Sequence, residues 1–100
     1  MYIVIKEGTP RGHAVNCAAH AALACYLEYG DTDEMNDWLA SSFRKVSCLA
    51  SEDEFEAIKY WLDDRVIITE SALDNQEVAL ALPPRSGEWP TIVKNLRLYK

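Results

Sequence analysis

A chain of 100 residues, 49% of them hydrophobic, has material for one domain spanning 1–100 and not for two. Sixteen acidic residues against ten basic ones give a net charge of −6, the wrong sign for broad, sequence-independent nucleic-acid binding. No apolar run is long enough to cross a bilayer, and the first residues lack the basic-then-apolar plan of a secretory signal, so no membrane partner is expected and a cytoplasmic location is.

Tyr2-Ile3-Val4-Ile5 reads as a strand buried on both faces. Gly8, Pro10 and Gly12 mark a loop. From Arg11 to Tyr29 the chain becomes alanine-rich and helical, with Ala14, Ala18, Ala21 and Cys25 forming a narrow stripe of small side chains that lets a helix lie close to a sheet. Gly30 is expected to end it as a C-terminal glycine. Asp31–Ser41 reads as a shorter helix with Met35, Trp38 and Leu39 on its apolar side. Arg44–Leu49 reads as the second strand. Ser51 and Glu54 have capping-box spacing, opening a helix to about Asp63 with Phe55, Ile58 and Leu62 on one face. Val66–Thr69 and Val78–Leu82 read as strands three and four, and Glu88–Asn95 as a last helix.

The order β-α-α-β-α-β-β-α predicts a largely parallel sheet covered on both faces. The link from Glu70 to Glu77 has no room for a crossover helix, so strands three and four are expected to be antiparallel if they are neighbours. Ligands in such sheets sit beyond the carboxyl ends of parallel strands, which points to the Glu7–His13 and Glu70–Glu77 loops.

Three cysteines, with no CxxC pair, point to reduced thiols, and their spacing matches no zinc pattern. Cys25 and Cys48 read as small buried hydrophobes. Beside the alanine stripe of the first helix runs a second one, His13, Cys17 and His20, at i, i+4 and i+7. Its plainest reading is structural: a loop-end His13, a packed Cys17 and a hydrogen-bonded His20. A second reading gives His13 acid–base work, since an imidazole titrates near neutral pH. A third pairs Cys17 with His13 as a nucleophile near a helix N-terminus. A metal site is a weak fourth, because one helix would have to supply three ligands in a row. Glu70 closes strand three on the same rim, placed to orient His13 or to act as a base, while Asp74 and Glu77 share its loop. Lys6, Arg11, Arg85 and Arg97 form a positive patch only if the fold gathers them.

The segment Gly12-His13-Ala14-Val15-Asn16-Cys17-Ala18-Ala19-His20-Ala21-Ala22-Leu23 resembles the first-helix signature, G-K-x-A-A-Q-x-x-H-A-A, of the archaeal and eukaryotic type of peptidyl-tRNA hydrolase. Met1–Ile5, Lys45-Val46, the helix start at Ser51 and the ending Asn95-Leu96-Arg97-Leu98-Tyr99, similar to H-L-K-L-Y, extend the likeness over nearly the whole chain. The resemblance implies a three-layer α/β/α sandwich with a mixed four-stranded sheet whose last strand is antiparallel. It further implies hydrolysis of the ester joining peptide to tRNA, no metal or other cofactor, and a homodimer.

The departures fall on the positions that matter. The family's functional lysine is His13 here, its helix glutamine is Cys17, and only its histidine remains, at His20. Its D-A-G-x-T-Q motif aligns with Glu70–Asn75, putting Glu70 at the aspartate and Asp74 at the threonine, with Glu77 or its neighbour near a further functional threonine. Positive charge is lost and negative charge gained opposite a polyanionic substrate, which weighs against tight tRNA binding. Two functions follow. One is a diverged ester hydrolase in which His13 is the base, Glu70 orients it, Cys17, His20 and Asp74 complete the set, and Arg11, Asn75 and Glu77 contact the ligand. The other is a catalytically inactive domain that binds a ligand or a protein through the old cleft. A third possibility, a homodimeric module exposing Trp38, Trp61 or Trp89, depends on where the fold puts those rings.

Overall fold

The computed structural model describes Met1–Lys100. Its elements run β1 (Tyr2–Lys6), α1 (Arg11–Tyr29), α2 (Asp33–Ala40), β2 (Val46–Ala50), α3 (Glu52–Trp61), β3 (Val66–Glu70), β4 (Gln76–Leu82), α4 (Thr91–Lys94) and β5 (Arg97–Leu98). A single turn of 3-10 helix, Ser71–Leu73, links β3 to β4. The sheet has five strands in the order β3-β4-β1-β2-β5.

Two expectations need correction. The sheet is mixed rather than largely parallel, because only β1 and β2 pair in parallel. β4 returns from β3 across five residues, too few for a crossover, and inserts between β3 and β1, antiparallel to both. β1, β2 and β3 still point the same way, so their carboxyl ends share one rim. The sheet also has five strands, not four. Cys48 and Leu49 of β2 pair with Leu98 and Arg97, which cover that edge of the sheet. Two exposed residues are too short a run to show a period in sequence.

Alternation along the strands sorts the core into two layers. Ile3, Ile5, Ala79 and Ala81 face α1 and α2, against Ala14, Cys17, Ala21, Cys25 and Met35. Val4, Cys48, Leu80 and Leu82 face α3 and α4, against Phe55, Ile58 and Val93. The arrangement is therefore helix, sheet, helix. Of the predicted stripe of α1, Ala14, Ala21 and Cys25 are buried and Ala18 only partly so, while Cys17 joins the buried face; small side chains on both surfaces, such as Ala21 against the Ala79–Ala81 stretch, let helix and sheet approach closely.

The helix ends follow local chemistry. Thr32 caps α2 by accepting from the Met35 amide, and Ser51 with Glu54 closes a reciprocal capping box on α3. α1 starts after Pro10 with no side-chain cap. Gly30 ends α1 in a right-handed conformation rather than the left-handed one expected of a terminal glycine. The glycine is needed for space instead, since a Cβ there would stand 2.6 Å from the Tyr26 carbonyl oxygen. The last helix is one turn, shorter than the sequence suggests. Pro90 lacks an amide hydrogen and pushes Trp89 toward extended backbone, so the helix starts only after it.

Candidate functional site

The carboxyl ends of β1, β2 and β3 bring the start of α1 next to the end of β3. On β3, Val66 and Ile68 pack toward α1, so the period of two turns Glu70 the same way. On α1, Cys17 lies on the buried stripe and His13 one turn earlier at its margin. The three side chains meet there. The Cys17 thiol donates to Glu70 Oε2 at 3.6 Å, and His13 Nδ1 stands 3.8 Å from Glu70 Oε1. Oε1 also accepts from the Ala72 amide at 3.2 Å, which fixes the carboxylate against the turn that follows β3.

The burial gradient gives each group a different task. Cys17 is fully buried, the Glu70 side chain is 19% exposed and the His13 side chain 36%. Burial pushes the Cys17 thiol up from its ordinary value, and the Glu70 hydrogen bond and charge push it further the same way. The thiol is thus a neutral donor that holds Glu70, which leaves the carboxylate's second oxygen facing His13. A separation of 3.8 Å is longer than a hydrogen bond, so the two groups are neighbours and not bonded partners. Nδ1 is the nitrogen on the Glu70 side, and no hydrogen bond occupies Nε2. The uncapped N-terminus of α1 adds backbone amides without helical acceptors beside His13, since the first helical bond is that of the Ala14 amide to Pro10.

The other sequence candidates stand apart from this cluster. His20 is exposed two turns further along α1, about 10 Å away along the axis. Asp74 and Asn75 are exposed and both left-handed, and they form the turn into β4, with the Asn75 amide donating to the Glu70 carbonyl. Glu77 faces the opposite layer. The pairing shifts there from Ile68 with Ala79 to Thr69 with Glu77, so the extra residue Val78 bulges and β4 changes phase. Glu77 pairs with Lys59 of α3, whose ammonium is made more basic by that hydrogen bond.

The four basic residues form no patch. Lys6 pairs with Glu52, and Arg97 with Glu7 and Glu54. Arg85 lies at the opposite rim, over the Trp89 ring. Arg11 is exposed at the start of α1 with no carboxylate partner. No group of three or more His, Cys, Asp or Glu side chains is disposed to hold a metal ion.

No protein-family model matches this chain, and no curated protein matches it.

Two further concavities lie elsewhere. Clefts of about 430 and 470 Å³ flank the Pro83–Trp89 segment, the first beside the Trp61–Asp64 link into β3 and the second at the amino ends of β1 and β2. Sequence reading did not find them. The available signal was the run Glu28–Asp37, which holds five acidic residues and no basic one. No helix is long and apolar enough to cross a membrane.

Proposed function

We propose that the chain is a diverged peptidyl-tRNA hydrolase-like domain that cleaves carboxylic esters, with His13 as general base. The supporting observation is the convergence of His13, Glu70 and Cys17 at the carboxyl rim of the sheet, with the imidazole at solvent and the thiol beneath. In the proposed step His13 Nε2 takes a proton from water as its oxygen attacks the ester carbonyl. The amides at the start of α1 face the developing oxyanion. When the tetrahedral intermediate collapses, the C–O bond to the alcohol breaks and the proton on His13 passes to the leaving oxygen. Glu70 stabilises the imidazolium between the two transfers, as an ion pair with the ring. Cys17 acts only through Glu70 and is a positioning residue.

Charge decides which ester fits. Lys6 and Arg97 are occupied by carboxylates, leaving Arg11, two residues before His13 at the start of α1, without a carboxylate partner. A polyanion such as tRNA gains little there, so a smaller ester of an N-blocked amino acid is the better substrate. A homodimer, which the resemblance implies, places no demand on this chemistry.

The test offers the protein two esters of one N-blocked amino acid, on tRNA and on a small alcohol. Turnover of either that falls by about 10²- to 10⁴-fold in His13→Ala supports the base. Turnover of the small ester alone assigns the substrate. No turnover of either by folded protein favours the other reading, a domain that kept the cleft for binding.

A further inference from the structure

The rim opposite His13 holds two adjoining clefts that share Glu34, Pro84, Arg85, Ser86 and Trp89. Three observations say what fits them. First, the chain's carboxylates are segregated. Seven of the sixteen are in ion pairs, and most of those lie toward the His13 rim or on α3. Of the nine without a basic partner, seven fall in Glu28–Asp37 and at Asp63–Asp64. Glu34, Asp63 and Asp64 line the first cleft directly. Their field is felt locally: burial raises the Tyr29 phenol, and the Asp64 and Glu28 charges raise it further.

Second, the walls are aromatic. Trp61 lines the first cleft and is 71% exposed, edge-on to a Tyr60 that is 76% exposed. Trp89 lines both clefts, held in place by an edge contact with Tyr2. Large exposed rings side by side at a cleft mouth are unusual on a monomer's surface. Third, the cleft already holds a guanidinium. Arg85 reaches into it, its Cζ 5.4 Å from the centre of the Trp89 ring, and it has no carboxylate within ion-pair distance. One guanidinium thus already lies over a tryptophan ring here, and the unpaired carboxylates of the same cleft complete the chemistry that recognises another.

We infer that this cleft docks an arginine-bearing segment of another polypeptide, with guanidinium groups stacking on Trp61 and pairing with Asp63 and Asp64, opposed by the like charge of Arg85 on the same wall. Nucleic acid has the wrong sign for this surface, and an anionic membrane is repelled by it. The site lies across the sheet from His13, so its failure and that of the hydrolase reading are separable.

The probe is a capped peptide of alternating arginine and glycine, followed through tryptophan emission, beside versions with lysine or glutamate in place of arginine. The expected result is saturable binding of the arginine peptide that weakens with salt. It should fall by about tenfold in Trp61→Ala and in Asp63→Asn/Asp64→Asn, and tighten in Arg85→Ala. All three changes are at exposed or loop positions, and circular dichroism checks that each variant is folded. Ester turnover should be unchanged in all of them. Three outcomes overturn the inference: no saturable binding, equal affinity in the Trp61 or aspartate variants, or equal binding of the lysine peptide, which would reduce the effect to general charge attraction.

Discussion

Burying three thiols should make the fold vulnerable to alkali. Cys17, Cys25 and Cys48 are each at most 1% exposed, and burial raises all three above the ordinary thiol value. Cys25 is pushed furthest, from 9.0 to about 11, because burial in the α1 layer disfavours the thiolate more than the nearby N-terminal ammonium favours it. The sign follows from proton counting. Between those two values the folded chain keeps a proton that the unfolded chain releases, so rising pH favours unfolding. Each tenfold change in acidity is worth about 1.4 kcal/mol, so Cys25 alone removes about 2 to 3 kcal/mol across that window. That is a large part of the ~5–15 kcal/mol typical of a domain. Urea unfolding under a reductant, at steps from about pH 8 to about pH 11, measures it. Wild type should lose stability steadily above about pH 9. In Cys25→Ala the decline should be shallower by about 2 to 3 kcal/mol across the range, on top of a pH-independent packing loss. Tyr29 and Lys59 also titrate high, so the difference between the two proteins is the informative quantity. Identical pH slopes would refute the assignment of a buried, unpartnered thiol.

Other perturbations test individual parts. Ser51→Ala removes one half of the α3 capping box and should cost about 1 kcal/mol in urea unfolding, with Ser51→Gly costing less. Phe55→Ala empties a fully buried position between α3 and the sheet and should cost about 3–5 kcal/mol, enough to leave a marginal fold by circular dichroism. Gly30→Ala should destabilise by about 1 kcal/mol or more through its contact with the Tyr26 carbonyl, and a neutral result would remove that contact's importance. Cys17→Ser keeps a donor to Glu70 and should retain ester turnover, whereas Cys17→Ala should lower it, with the pH profile shifted because Oε2 loses its donor and the Ala72 amide alone holds the carboxylate.

Much of the fold was legible because its signals are local. The spacing of Ala14, Ala21 and Cys25 located the buried face of α1, which takes in Cys17 rather than Ala18, and Ser51 with Glu54 located the start of α3. Turn length fixed the β3–β4 hairpin, but not that β4 would insert beside β1, because sheet order depends on contacts far apart in sequence. β5 was hidden by its length. At the site, alternation along β3 placed Glu70 toward α1, so its meeting with His13 and Cys17 was readable. Glu77 was not, because a one-residue bulge at Val78 reverses the face, and a bulge has no marker in a run such as Glu77-Val78-Ala79. His20 continues the His13 and Cys17 spacing yet is exposed, since a stripe at the margin of a helix's buried face drifts out of contact within two turns.

The most direct test of the account is the rate at which purified protein releases an N-blocked amino acid from its ester, measured beside His13→Ala and Glu70→Gln. The account predicts turnover in wild type, a fall of about 10²-fold or more in His13→Ala, and a smaller fall in Glu70→Gln, with all three proteins folded. Equal rates in wild type and His13→Ala would contradict it.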